Sequence, residues 1–263
     1  MKKTLLTAVI ISSIFASCSS NEDEGSNSKT AGLYFPEVNG NYWTYDVATT
    51  DATNRDSLYV LKDTVINSKI YKRMNTKSTP FGFLSSSLNK NGVRSEANKI
   101  FLSGGLGLDF TSTLPIEFKL EDFVMFKEDA KANEQLSTTS GTIDQDFQGY
   151  PLKIDYTLKS VAQANVPSFT TKNGEVYNDI KPVLFTLELK ISTTYSGLPI
   201  SILKTQNVIT STQYYVKNVG VVYTNTLMHY QLQDFSQFGV NLPMPQSGDQ
   251  SQEEFLDKYK TVN

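Results

Sequence analysis

Apolar and polar residues alternate with a period of two through the second half of the chain. Leu152, Ile154, Tyr156 and Leu158 alternate with Lys153, Asp155, Thr157 and Lys159, and Val183, Phe185, Leu187, Leu189, Ile191 and Thr193 alternate with Thr186, Glu188, Lys190 and Ser192. Successive side chains of a strand point to opposite faces, so each run has one dry face and one wet face. Such strands belong to an antiparallel sheet covered on one side only. A parallel sheet needs crossover helices, and no helical periodicity of about 10–15 residues separates these runs.

Turn signals divide the rest of the chain into further strands. Asn39-Gly40 precedes Tyr42 to Val47, which places Trp43, Tyr45 and Val47 on one face. Asn67-Ser68 joins Ser57–Ile66 to Lys69–Met74 as a hairpin, and Asn91-Gly92 predicts a second one between Leu88–Lys90 and Val93–Ser95. Ile100–Leu102 is a short strand, and Gly104-Gly105-Leu106-Gly107 reads as a flexible turn, since no Lys-Ser/Thr follows as a phosphate-cradling loop requires. Gly197-Leu198-Pro199 turns the chain into Ile200–Ile209, and Asn218–Gly220 closes a hairpin whose second strand runs on to Leu232. Ser251-Gln252-Glu253-Glu254 has the spacing of a capping box, with Phe255, Leu256 and Tyr259 behind it, and predicts a short C-terminal helix at about 250–260. The fold class expected is all-β: a large antiparallel meander sheet curled into an open half-barrel, with a two-sheet sandwich as the alternative.

The N-terminus follows a different logic. Lys2 and Lys3 precede the apolar run Leu5–Phe15, and Phe15-Ala16-Ser17 leads to Cys18. A run of about 11 apolar residues is too short to span a bilayer, which takes roughly 20 as a helix, so residues 1–17 are expected to be a cleaved export signal. The stretch resembles a bacterial lipoprotein signal. That resemblance implies diacylglycerol on the Cys18 thiol and cleavage just before it, although Phe15 stands where Leu is usual. Cys18 is the sole cysteine, so no intramolecular disulfide or cysteine-based zinc cluster can form. Residues 18–31, with Glu22, Asp23 and Glu24, are nearly devoid of apolar groups and are expected to be a tether before a single β-rich domain at 32–263. An acidic cluster just after the lipidated cysteine resembles the export signal of Bacteroidota-type lipoproteins. It implies the outer membrane and the cell exterior, with the periplasmic face as the alternative.

Charge and candidate chemistry narrow the functional classes. Loss of Lys2 and Lys3 with the signal leaves 22 Lys and Arg against 27 Asp and Glu, a formal charge of −5, which argues against a nucleic-acid partner. Trp43, the single tryptophan, is expected to be a core residue with a partnered indole N–H rather than a ligand platform. Glu117, Glu121 and Asp122 are the acids that a glycoside hydrolase would need as an opposed pair, and Glu117 alternates outward. Asp144 and Asp146 lack the glycine and distal acid of a calcium loop and are placed on the wet side of a strand. His229, the single histidine, has no Gly-x-Ser-x-Gly nucleophile turn to serve and reads as a strand residue. No catalytic residue, metal ligand or cofactor is assigned.

Tyr34-Phe35-Pro36 with Gly40-Asn41-Tyr42-Trp43-Thr44-Tyr45, the hairpin Asp63–Tyr71, and Tyr215–Val222 look like a large group of Bacteroidota-type outer-membrane lipoproteins to which no activity is attached. At the level of fold the resemblance extends to half-barrel carriers of the LolA and LolB type. That likeness is one of fold and carries no function; the expectation is a non-enzymatic binding or accessory module. Its partners would be the membrane, through the acyl groups on Cys18, and an apolar, glycan or protein ligand. A surface glycan hydrolase using paired carboxylates is the alternative.

Overall fold

The computed structural model describes residues 33–110, 114–147, 149–195, 197–234 and 245–262; the expected signal at 1–17, Cys18 and the expected tether at 18–31 lie outside them. In chain order the elements are β1 (Tyr42–Thr49), β2 (Thr53–Ile66), β3 (Lys69–Thr76), α1 (Phe83–Leu88), β4 (Gly92–Glu96), β5 (Lys99–Phe110), β6 (Leu114–Lys127), β7 (Gln135–Phe147), β8 (Tyr150–Ala162), β9 (Val166–Thr170), β10 (Val176–Tyr195), β11 (Leu198–Val216), β12 (Gly220–Gln231) and β13 (Ser247–Lys260). The strands form one antiparallel sheet in the order β6-β5-β4-β3-β2-β1-β13-β12-β11-β10-β8-β7, with β9 paired to the start of β10. The chain begins in the middle of the sheet, meanders to β6, crosses to β7 at the other edge, and meanders back until β13 pairs with β1.

The sheet curls further than a half-barrel and nearly closes, leaving one unsealed seam between β6 and the β7–β8 hairpin. Side chains stitch that seam in place of a ladder. Ser160 Oγ donates to the Val124 carbonyl at 2.6 Å, Gln145 Nε2 donates to the Pro115 carbonyl at 3.0 Å, and the Phe118 and Tyr156 rings meet edge to face at 4.9 Å. The alternating runs lie as the pattern predicts: Leu152, Ile154 and Leu158 on β8 and Val183, Phe185, Leu187, Leu189 and Ile191 on β10 are all buried in one continuous core.

Both mouths of the barrel are plugged by the chain itself. At the proximal mouth, where β1 begins and β13 ends, Tyr34 and Phe35 turn inward; Phe35 stacks on Trp43 at 4.9 Å and Tyr34 meets Phe126 at 4.7 Å. Trp43 is buried and its indole N–H donates to the Val219 carbonyl, while the Tyr45 hydroxyl donates to the Val221 carbonyl at 2.9 Å. At the distal mouth α1 enters the interior with Leu84, Ser85, Ser87 and Leu88 buried.

Three local expectations are corrected. Residues 250–260 form strand, not helix: β13 lies between β1 and β12 with Gln252, Glu254 and Leu256 all buried. Two of its inward positions are polar, which hides the alternation. Asn91-Gly92 is not a hairpin turn but the exit from α1, where the Asn91 amide donates to the Ser87 and Gly105 carbonyls. The glycine run 104–107 is part of β5. A β-carbon on Gly104 would stand 2.0 Å from Asn91 Oδ1 and one on Gly105 2.4 Å from Glu117 Oε1, so glycine here makes room for side chains rather than a turn.

Gly220 is where the backbone leaves no freedom. Its φ is +116°, and an added β-carbon would sit 2.8 Å from Trp43 Nε1. Gly220→Ala is expected to destabilise the fold by about 1–3 kcal/mol through backbone strain alone, with displacement of the indole adding to that. Urea unfolding measures it; an unchanged midpoint would contradict the placement of Trp43.

Candidate functional site: carboxyl groups facing the buried helix

A helix leaves its first backbone N–H groups without intrahelical partners. Helix α1 spans only six residues and its N-cap, Gly82, supplies no side-chain acceptor. Three remote side chains take that role inside the barrel. Asp56 on β2 accepts from the Phe81 N–H at 3.0 Å and the Gly82 N–H at 2.7 Å; Gln252 Oε1 on β13 accepts from Phe83 N–H at 2.7 Å; Glu254 Oε1 accepts from Leu84 N–H at 2.7 Å. Ladder register brings them together. Asp56 is opposite Tyr45 on β1, Glu254 is opposite Val47 on β1 and Thr224 on β12, and the Thr224 hydroxyl donates to Glu254 Oε1 at 3.1 Å.

The two acids are buried side by side. A β-carbon on Gly82 would stand 2.1 Å from Glu254 Oε2 and 3.0 Å from Asp56 Oδ2, so both oxygens face the same glycine. Among the described residues Glu254 Oε2 has no hydrogen-bond partner. Burial pushes the Glu254 carboxyl up to about 7, and the charge of Asp56 adds to the rise against the pull of the Leu84 N–H and Thr224 hydroxyl. A proton on Glu254 leaves the pair with one negative charge instead of two. The arrangement resembles an acid and base pair in composition, yet its oxygens face helix amides and core side chains rather than a cleft. It holds the plug in place.

A second polar cluster lies on the outer face of β3–β6. Asp122 has a left-handed φ of 47° and is bound by Lys69, by the Tyr71 hydroxyl and by Arg94 Nη2 at 2.9 Å, while its own N–H donates to Ser103 Oγ at 2.8 Å. Arg94 also lies over the Phe101 ring, 4.2 Å from its centroid. Partial burial works against the charged form, but these three partners outweigh it and bring the Asp122 carboxyl down to about 2. The acids singled out from the sequence do not meet as a pair: Asp122 is in this cluster, Glu121 accepts from Asn67, and Glu117 is exposed beside Gly105.

Asp144 and Asp146 are exposed on β7 and share an open surface groove of about 690 Å³ with Asp155, Lys153, Lys190 and Thr193. His229 is exposed, and its Nδ1 lies 2.6 Å from Asp249 Oδ1 on β13. Among the described residues no group of three or more His, Cys, Asp or Glu side chains is placed to hold a metal ion. On the outer face of β11–β13, Phe169 of β9 folds against Tyr214 and Tyr223, and Tyr223 meets Phe255, forming a half-covered aromatic strip.

No protein-family model matches the chain, and neither does any curated protein. Among solved structures, it is similar to a "putative lipoprotein" from Parabacteroides distasonis, at 13% identity over 86% of this chain and 98% of that one, with a TM-score of 0.42.

The pH dependence of stability follows from Glu254. Its carboxyl ionises near 4.5 in the unfolded chain and near 7 in the fold, so between those values the folded state holds the proton that the unfolded state has lost. The contribution of Glu254 is full below that window, falls as pH rises through it by about 3 kcal/mol, and is level above it. Glu254→Gln keeps an acceptor for Leu84 and is expected to remove that slope, matching the parent at about pH 4.5 and exceeding it at about pH 8. Denaturant titrations across this range test it; parallel curves for the two proteins would refute it.

Proposed function

We propose that this chain is a lipid-anchored envelope lipoprotein, held through Cys18 and displayed on the outer membrane as a non-enzymatic binding or accessory module. The observation that carries the reading is the order of signals in the first 24 residues: a basic start, an apolar run too short to span, small residues, a lone cysteine and an acidic cluster. The fold supports the second half of it. The core of the curled sheet is packed with its own aromatic and aliphatic side chains, and both mouths are stoppered by Tyr34, Phe35 and α1. A partner therefore meets the outer face, where the aromatic strip at Phe169, Tyr214 and Tyr223 and the groove at Lys153 and Lys190 are found.

Radiolabelled palmitate is expected to enter the protein in its native host and to be lost in Cys18→Ala, and the mature chain is expected to begin at Cys18. Absence of label, or a mature start elsewhere, would overturn the reading. Replacement of Glu22, Asp23 and Glu24 by Ala is expected to reduce cleavage by protease added to whole cells; unchanged cleavage would remove the argument for external display.

A further inference from the structure

Among the described residues, the proximal mouth carries an apolar tip that stands largely exposed. Tyr42 at the start of β1 is opposite Tyr59 on β2, and β2 continues past it to Ile66 before turning back into β3. The β2–β3 hairpin therefore extends past the start of β1 at the rim, with the β4–β5 hairpin alongside it. Near its tip Val65 and Ile70 are direct cross-strand partners, 69% and 66% exposed. Val38 and Val262, beside the first residue of β1 and the last of β13, are exposed at the same mouth.

The projection is held rigidly. Asn67 and Ser68 adopt the paired positive φ of a tight turn, at 47° and 64°. The Asn67 amide donates to Glu121 Oε1 at 2.7 Å, Lys69 is bound to Asp122, and Lys72 to Asp63. The charges nearest the tip, Lys69 and the Lys72–Asp63 pair, are thus neutralised, while Lys62 and Arg73 lie opposite each other farther back, and the tip itself presents aliphatic side chains.

The described chain also starts at this mouth. The Leu33 carbonyl accepts from the Asn218 N–H in the β11–β12 turn. Between Cys18 and Leu33 lie 14 residues, which reach at most about 50 Å when extended and about 20 Å as a flexible coil. The distal mouth is a further 13-residue strand away along β8, about 40 Å at 3.3 Å per residue. An anchor at Cys18 favours approach of the proximal mouth to the lipid.

We propose that the proximal mouth is the membrane-facing end and that the β2–β3 hairpin seats Val65 and Ile70 in the lipid headgroup region. This rests on lipidation at Cys18. Two aliphatic side chains do not bind a protein to a bilayer unaided; on an anchored chain they fix its orientation and leave the distal mouth and outer strands facing away from the surface. Because the charges at the tip are paired, seating does not require anionic lipid.

The test uses the acylated full protein, whose only free thiol is introduced by Ile70→Cys or, as control, by Leu198→Cys. Leu198 is 68% exposed at the distal mouth. Each thiol is labelled with an environment-sensitive fluorophore, and the protein is reconstituted into phosphatidylethanolamine and phosphatidylcholine vesicles. The label at Ile70 is expected to shift to the blue, to be quenched by lipid-borne spin labels, and to show roughly fivefold less iodide quenching than the label at Leu198, as a group within the headgroup layer would. Protein that floats with the vesicles while both labels remain equally open to iodide would overturn the orientation alone. Shielding from iodide without spin-label quenching would assign the tip to a protein contact and also overturn it. Protein that fails to float would remove the anchor itself.

Discussion

A sheet of about 12 strands encloses more space than its own inward side chains readily fill; about eight strands is the width at which they do so. This protein meets that constraint by bringing other pieces of chain inside. Tyr34 and Phe35 enter at one mouth and α1 at the other, and the seam between β6 and β7–β8 allows the walls to draw in around them. A helix placed in a dry interior brings unpaired N–H groups with it, and a buried donor left unsatisfied is expensive. Asp56, Gln252 and Glu254 answer that need, so the least apolar stretch of the core follows from the decision to plug the barrel with a helix.

Much of the sheet is legible from the sequence because its strands have one dry and one wet face. β8 and β10 are read almost residue by residue, as are the turns at Asn67-Ser68 and Asn218–Gly220. Trp43, Tyr45 and Val47 share a buried face as their alternation predicts. Where reading fails, a polar side chain has been recruited inward. Gln252 and Glu254 on β13 break the alternation, and their spacing from Ser251 mimics a capping box. Glu254 does satisfy a helix N-terminus, but that of α1, 170 residues away in sequence.

The site was hidden for the same reason. Nothing near Asp56 in the sequence marks it as buried, and its meeting with Glu254 depends on the pairing of β1 with both β2 and β13. Helix α1, Phe-Leu-Ser-Ser-Ser-Leu, is too short for helical periodicity and rich in residues that favour caps and turns. The glycine at 104 is visible in the sequence, but the buried Asn91 side chain that needs the space comes from a loop remote from it in the chain. The proposed address signal lies outside this logic: such signals are read as local sequence, so the proposal for Cys18 rests on the first 24 residues and not on the fold.

Glu254 is a buried acid that binds the plug helix and keeps its proton well above the ordinary glutamate range. Selective carbon-13 labelling of glutamate and NMR titration of the Glu254 carboxyl measures this directly. The structure predicts a midpoint near 7, set by burial beside Asp56. A midpoint at the ordinary glutamate value of about 4.3 would place this carboxyl in water and contradict the pairing of β13 around α1.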